Sequence, residues 1–245
     1  ISFKMSNSDI GSTEWPADPE AYEMSGKIGQ GAFATVWIAK QKTTDVVCAV
    51  KVLNLDDMDA DLSEIRQEVQ AMRLLSHPNV LTCHAAFVNN RDLWVVTPLM
   101  KKGSSLNSLQ AARRILREQQ QVETKMEDHI RYILHETLVG LAYIHENGQI
   151  HRDIKAGNIL VDSDGSVKIA DFGVSGFLIQ AGSQIEKART FVGTPCWMSP
   201  EVMEQMHGYD YRADVWSLGI TALELAKGYA PYAKYPPMKV LILTI

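Results

Sequence analysis

The stretch Ile150-His151-Arg152-Asp153-Ile154-Lys155-Ala156-Gly157-Asn158 governs how the rest of the chain is read. Histidine, arginine, aspartate, lysine and asparagine fall within nine residues, which cannot be ordinary core because buried charges need partners. Nor is it a simple solvated loop, since Ile150 precedes it and the apolar strand Ile159-Leu160-Val161 follows at once. Beyond the turn Asp162-Ser163-Asp164-Gly165, a second strand, Val167-Lys168-Ile169-Ala170, runs directly into Asp171-Phe172-Gly173.

Upstream, Cys48-Ala49-Val50-Lys51 sets a lysine in an otherwise apolar strand. Burying an ammonium is costly unless an anion meets it, although a strand lysine can also snorkel to solvent. Nearer the N-terminus, Gly29-Gln30-Gly31-Ala32-Phe33-Ala34-Thr35-Val36 is a glycine-rich turn between two strands. Its missing side chains suit backbone approach to phosphate, and equally suit a plain hairpin. A dinucleotide-binding βαβ unit does not fit, because a strand and not a helix follows.

Residues 1–19 mix Ser, Asn, Asp and Pro and read as an arm, with Trp15 the one residue able to dock it. Three antiparallel strands are expected between Tyr22 and Val52, then an amphipathic helix from Asp61 to Ser76, with Leu62, Ile65, Val69, Met72 and Leu75 on one face. Two strands, Val80 to Val88 and Leu93 to Leu99, complete a small sheet. After Gly103 the chain turns helical, with a polar stretch around Arg113 to Gln121 that reads as a solvated face, and a periodic helix from Met126 to Asn147 that Gly148 ends. The layout is α+β: an arm (1–19), a β-rich lobe (20–97), a hinge (98–103) and a mainly helical lobe (104–245), with a ligand expected in the crevice between the lobes.

Composition sets outer limits. The 245 residues are 46% hydrophobic and 22% charged, ordinary for a globular protein. A net charge of -5 gives no basic field to attract nucleic acid. Cys48, Cys83 and Cys196 are three in number, widely spaced and without a CxxC pair, so a reducing, cytoplasmic or nuclear compartment fits best. No apolar run reaches membrane-spanning length and no signal-peptide pattern is present.

Taken in order, Gly29-x-Gly31, Ala49-Val50-Lys51, His151-Arg152-Asp153 through Asn158, Asp171-Phe172-Gly173 and Ser199-Pro200-Glu201 resemble the signature set of protein kinases, over residues 22 to 245. That resemblance implies the bilobal kinase fold, ATP and Mg²⁺, and transfer of the γ-phosphate to protein hydroxyls. Asp153 would act as base, with Lys155 on the γ-phosphate, a position that marks serine/threonine kinases. Asn158 and Asp171 would hold the metal, and Lys51 would pair with Glu68. The nucleotide would be lined by Ile28, Gly29, Gly31, Ala34, Val36, Ala49, Lys51, Met100, Leu160 and Asp171, with Thr97 as gatekeeper and the Pro98 carbonyl and Met100 N–H on the adenine edge. Arg152, beside Asp153, would receive a phosphate placed on Thr190, while Thr194 would hydrogen-bond Asp153 and Lys155.

The string from Thr190 to Gln205, with Gly208-Tyr209-Asp210 and the run Pro231 to Leu241, resembles sterile-twenty-like kinases, and more narrowly the SPAK and oxidative-stress-responsive branch. The branch implies a role in stress or ion-homeostasis signalling, activation by WNK-like kinases, and membrane ion cotransporters among the protein substrates. Departures are Ala34 for a glycine, Ser199 for an alanine, Pro98 at the hinge and an idiosyncratic segment 107–125. The chain reads as an excerpt that stops before the last helices of the lobe. Asp214 to Lys227 is expected to be a helix buried nearly all round, with Glu201 buried and unpaired and the apolar end exposed. The alternative function is a pseudokinase-type scaffold, which usually lacks the lysine, the base or the metal aspartate. A P-loop enzyme is disfavoured because no GxxxxGK[ST] is present.

Overall fold

The computed structural model describes residues 15–31, 34–56, 69–70, 72–118, 122–171, 195–204 and 210–245. Strands β1 (Tyr22–Gln30), β2 (Ala34–Gln41), β3 (Val47–Asn54), β4 (Ala85–Asn89) and β5 (Asp92–Pro98) form one antiparallel sheet in the order β1-β2-β3-β5-β4. Side chains alternate between its faces with the period of two that a pleated strand imposes. Leu53, Ala86, Leu93 and Val95 face a core shared with Met72 and Leu75, whereas Cys48, Val50, Phe87 and Val96 face a second core with Tyr22 and Ala39. Of the expected arm, the described part begins at Trp15, whose ring lies flat on His84 at 4.3 Å between centroids. Tyr22 reinforces it by donating its hydroxyl to the Pro16 carbonyl at 2.7 Å.

The strand expected from Val80 begins only at Ala85. Residues just before it belong elsewhere: Val80 bridges Ile169, Ile169 N–H donates to the Asn79 carbonyl and Leu81 N–H to the Ile169 carbonyl, both at 2.8 Å. Of the expected helix 61–76, the described residues 69–70 and 72–74 are helical.

The second lobe contains α1 (Ser105–Glu118), α2 (Val122–Glu146), the hairpin of β6 (Ile159–Val161) and β7 (Val167–Ile169), then α3 (Pro200–Glu204), α4 (Arg212–Lys227) and α5 (Pro237–Thr244). Gly148, at a φ of 72°, follows the end of α2, as its sequence implied. Gly140 within α2 permits a close approach, because a Cβ there would stand 2.7 Å from the Asn79 carbonyl oxygen.

Three expectations need correction. Helix α4 is not buried all round: Asp214, Ser217, Thr221, Glu224 and Leu225 are buried, while Val215, Trp216 and Leu223 are exposed. Glu201 is exposed in the first turn of α3, so no burial cost attaches to it. Arg113 is not merely solvated, since its guanidinium donates to the Leu225 carbonyl at 3.0 Å and to the Ala226 carbonyl, where α4 runs out of internal partners.

Candidate active site

The run 150–158 is shaped by hydrogen bonds that its own sequence cannot supply. The amides of His151 and Arg152 donate to the two carboxylate oxygens of Asp214, each at 2.8 Å, and His145 Nε2 meets Oδ2 of the same residue at 2.8 Å. Arg152 is turned into the left-handed region, with a φ of 71°. That is an unfavourable conformation for a residue with a Cβ and persists only where the surroundings over-determine it. His151 is 1% exposed. Its Nδ1 accepts from the Asp153 amide at 3.2 Å, so the ring proton sits on Nε2 and is donated to the Ala170 carbonyl at 3.0 Å. One imidazole thus fixes the loop against the residue preceding Asp171.

Two lysine–carboxylate pairs result. Lys155 Nζ contacts both oxygens of Asp153 at 2.9 and 2.8 Å, and Asn158 Nδ2 donates to Asp153 Oδ2 at 2.7 Å and to its carbonyl at 2.8 Å. Lys51 Nζ reaches Asp171 Oδ1 at 2.7 Å across 120 positions of sequence. Burial works to raise the Asp171 carboxyl, but the charge and hydrogen bond of Lys51, with further help from His151 and Lys155, hold it below the usual carboxylate range. Like Arg152, Asp171 has a positive φ, 62°. The Asp153 and Lys155 side chains each remain 34% exposed, open to an incoming substrate.

The sheet places Val36 opposite Lys51 and Ala49 opposite Thr97, and Pro98 closes β5 opposite Cys48. Gly29 lies opposite Val36, Gly31 N–H donates to the Ala34 carbonyl at 2.8 Å, and Ile28 is 51% exposed. Below the hinge, Leu160 bridges Ser104, and Met100 is buried with its carbonyl held by Gly103 N–H at 3.0 Å. Glu68, Phe172, Gly173, Thr190 and Thr194 lie outside the described residues. The partner seen for Lys51 is therefore Asp171, and the expected pairing with Glu68 falls on an undescribed position.

Sequence reasoning missed Asp214, Thr221 and Glu224. Each reaches the loop: Asp214 as above, Thr221 Oγ1 to the Ile154 carbonyl at 3.4 Å, and Glu224 Oε2 from the Ala156 amide at 3.0 Å. A signal was present, because polar residues at 214, 217, 221 and 224 recur every three or four positions along an apolar helix and so share one face. As for a metal, Asn158 commits its amide nitrogen to Asp153, which leaves the amide oxygen as its acceptor, and Asp171 adds a carboxylate; hard oxygen donors of this kind suit Mg²⁺.

A family model described as protein kinase domain matches residues 22–241. Among characterised relatives, germinal center kinase 3 of Caenorhabditis elegans is 50% identical over 94% of this chain and 39% of its own length. Serine/threonine-protein kinase fray2 of Dictyostelium discoideum is 45% identical over 94% of the chain and 22% of its own length. Serine/threonine-protein kinase cst-1 of Caenorhabditis briggsae is 40% identical over 91% of the chain and 42% of its own length. The chain thus spans less than half the length of each of these relatives.

Proposed function

This chain belongs to the protein kinase domain family, in its sterile-twenty-like serine/threonine group, and on that premise we propose that it transfers the γ-phosphoryl group of ATP to serine and threonine hydroxyls of protein substrates. The observation that carries this reading is the pair of separate lysine–carboxylate contacts, Lys51 with Asp171 and Lys155 with Asp153, with Asn158 bonded through its side chain to Asp153 and through its carbonyl to the amide of Ala170, the residue before Asp171. Phosphoryl transfer asks for charge placement more than covalent chemistry, and two cations and two carboxylates brought together here provide it. The acceptor oxygen bonds to the γ-phosphorus as the bond to the ADP oxygen breaks, and the hydroxyl proton passes to Asp153. Oδ2 of Asp153 holds both Lys155 and Asn158 whereas Oδ1 holds Lys155, so Oδ1 is the oxygen that takes the proton. Lys51 orients the α and β phosphates, and Lys155 turns from Asp153 toward the γ-phosphate. Asn158, through its amide oxygen, and Asp171 would hold Mg²⁺, which would supply charge neutralisation for the phosphates.

Finer features of the reading are the nucleotide-lining set around Val36, Ala49, Met100 and Leu160, activation through a phosphate on Thr190 received by Arg152, and the SPAK-like branch. That branch carries a WNK-like activator, ion-cotransporter substrates and a cytoplasmic location. The strand register that sets Val36 opposite Lys51 and Ala49 opposite Thr97 supports the lining set, and the resemblance of the motif from Thr190 to Gln205 supports the activation site and the branch.

The test is transfer of radiolabelled γ-phosphate to a generic protein acceptor by the full-length protein. The wild type is expected to be active, Asp153→Asn and Lys51→Met to lose at least about two orders of magnitude, and Thr190→Ala to gain nothing from a WNK-type kinase. A wild type that binds nucleotide yet transfers no phosphate would instead establish the scaffold reading.

A further inference from the structure

We propose that Ser105 is a positioning residue for phosphoryl transfer, whose hydroxyl fixes, from the nucleotide side, the turn that joins Lys155 to Asn158. The inference rests on the kinase reading above. Ser105 is the first residue of α1 and follows the hinge segment and Ser104 directly. With Leu109 and Ala112 it shares one helical face, which enters the apolar cluster of Ala156, Ile159, Val161 and Leu225. Such a position calls for an apolar side chain, yet a hydroxyl stands there at 0% exposure. It does not serve as the helix cap, because the neighbouring Ser104 does: Ser104 Oγ accepts the Asn107 N–H at 3.3 Å. Ser105 Oγ instead donates across 51 positions to the Ala156 carbonyl at 2.9 Å.

What that bond holds is the connection between two residues that touch Asp153. Lys155 and Asn158, whose side chains both bond Asp153, are joined by the single turn Ala156–Asn158, closed by the Asn158 N–H on the Lys155 carbonyl at 2.9 Å. The buried Ala156 takes part in two peptide planes: its amide lies in the plane shared with Lys155, and its carbonyl in the plane shared with Gly157. Ser105 grips the second plane, and a rotation of that plane carries Asn158 with it and alters what Asp153 meets. On the other side, the end of the hinge is sewn to β6 around Leu160. Lys101 N–H donates to Asp162 Oδ1 at 3.1 Å, Lys102 N–H to the Val161 carbonyl at 3.1 Å, and Val161 N–H to the Gly103 carbonyl at 2.8 Å. Those bonds reach β6 and the residue after it, whereas the Ser105 bond reaches the turn itself. Ser105 therefore stands between the segment read as the adenine edge and the residues read as acting on the acceptor hydroxyl. Displacing a reacting group by about 1 Å costs on the order of a hundredfold in rate, and a bond lost at one remove costs part of that.

The experiment uses the full-length protein and compares wild type with Ser105→Thr, Ser105→Val and Ser105→Ala. Acceptor-protein kcat and KM are measured beside the dissociation constant for ATP with Mg²⁺. Threonine and valine have nearly the same shape and differ in a hydroxyl, so whatever the added bulk costs is common to both. Ser105→Val should lower kcat about tenfold, the worth of a buried carbonyl left without its donor, with acceptor KM and nucleotide affinity within about twofold. Ser105→Thr should stay within about threefold of wild type, and Ser105→Ala, which adds no bulk, should fall with Ser105→Val. Wild-type kcat in Ser105→Val or Ser105→Ala overturns the proposal, as do equal losses in Ser105→Thr and Ser105→Val, which assign the effect to volume. Loss of nucleotide affinity in parallel with kcat overturns it too, since that marks general disruption. A wild type with no transferase activity overturns the kinase reading itself, and this inference with it.

Discussion

Ser199 shows how a single hydroxyl can work against the fold that contains it. The residue is 1% exposed, and its Oγ finds no hydrogen-bond partner among the described residues. A buried hydroxyl without a partner forfeits its hydration and gains nothing in exchange, so Ser199→Ala should raise stability by about 1 kcal/mol. A denaturant midpoint unchanged or lowered in the variant would show that Oγ is satisfied in solution. His151 is the opposite case, with both ring nitrogens in hydrogen bonds. The motif named His151 as part of the site, but its tautomer and its tie to Ala170 follow only from the way the loop and the β7 end approach each other.

At the scale of elements, the C-terminus of α4 illustrates a partner that no local pattern announces. The last carbonyls of a helix have no intrahelical donors, and Arg113, reaching from α1 to Leu225 and Ala226, supplies two. Gly228, at a φ of 89°, returns its own N–H to the Glu224 carbonyl at 2.7 Å. Arg113→Ala should lower stability by about 1 kcal/mol, and Arg113→Lys should restore part of it through charge alone. Thermal unfolding of the three proteins checks this, and equal midpoints would refute it. The strands were legible because period-two alternation is a local property: β6 spans Ile159–Val161 as read, β1 and β2 fall within the expected region, and β3 overruns its expected end at Val52 by two residues, to Asn54. The segment before β4 was misread because Val80 is as apolar as a strand residue and pairs instead with Ile169 of the other lobe. Helix α4 was misread in a related way, its regularly spaced polar residues being outnumbered by apolar ones that in fact remain exposed.

Across the whole molecule, one apolar cluster runs through both lobes. Leu53, Leu75 and Val95 from the sheet side join Leu141, Ile144, Ile154, Ile169 and Leu218 from the helical side. Continuity of that core is what keeps Lys51, on β3, within 2.7 Å of Asp171, beyond β7. Cysteine reactivity reports on this core through Cys83 and on the second core, on the other face of the sheet, through Cys48: burial pushes the Cys48 thiol up to about 11 and Cys83, against the lowering effect of Arg73, up to about 12. Both thiols are therefore neutral and enclosed at pH 8, and iodoacetamide followed by mass spectrometry should leave them unmodified in the native protein and alkylate both in denaturant. Native labelling at either would mean that the core around that cysteine is open. The sequence by itself determined the α+β layout, the glycine turn, the lysine strand and the two aspartates, because periodicity and short motifs are written in neighbouring residues. Only the tertiary structure decided that Lys51 meets Asp171, that Asp214 and Glu224 hold the run 150–158, and that Arg113 caps α4. Those partners lie tens of residues apart or more, and a hydrogen bond or ion pair at such separation exists only once packing has brought its two ends together.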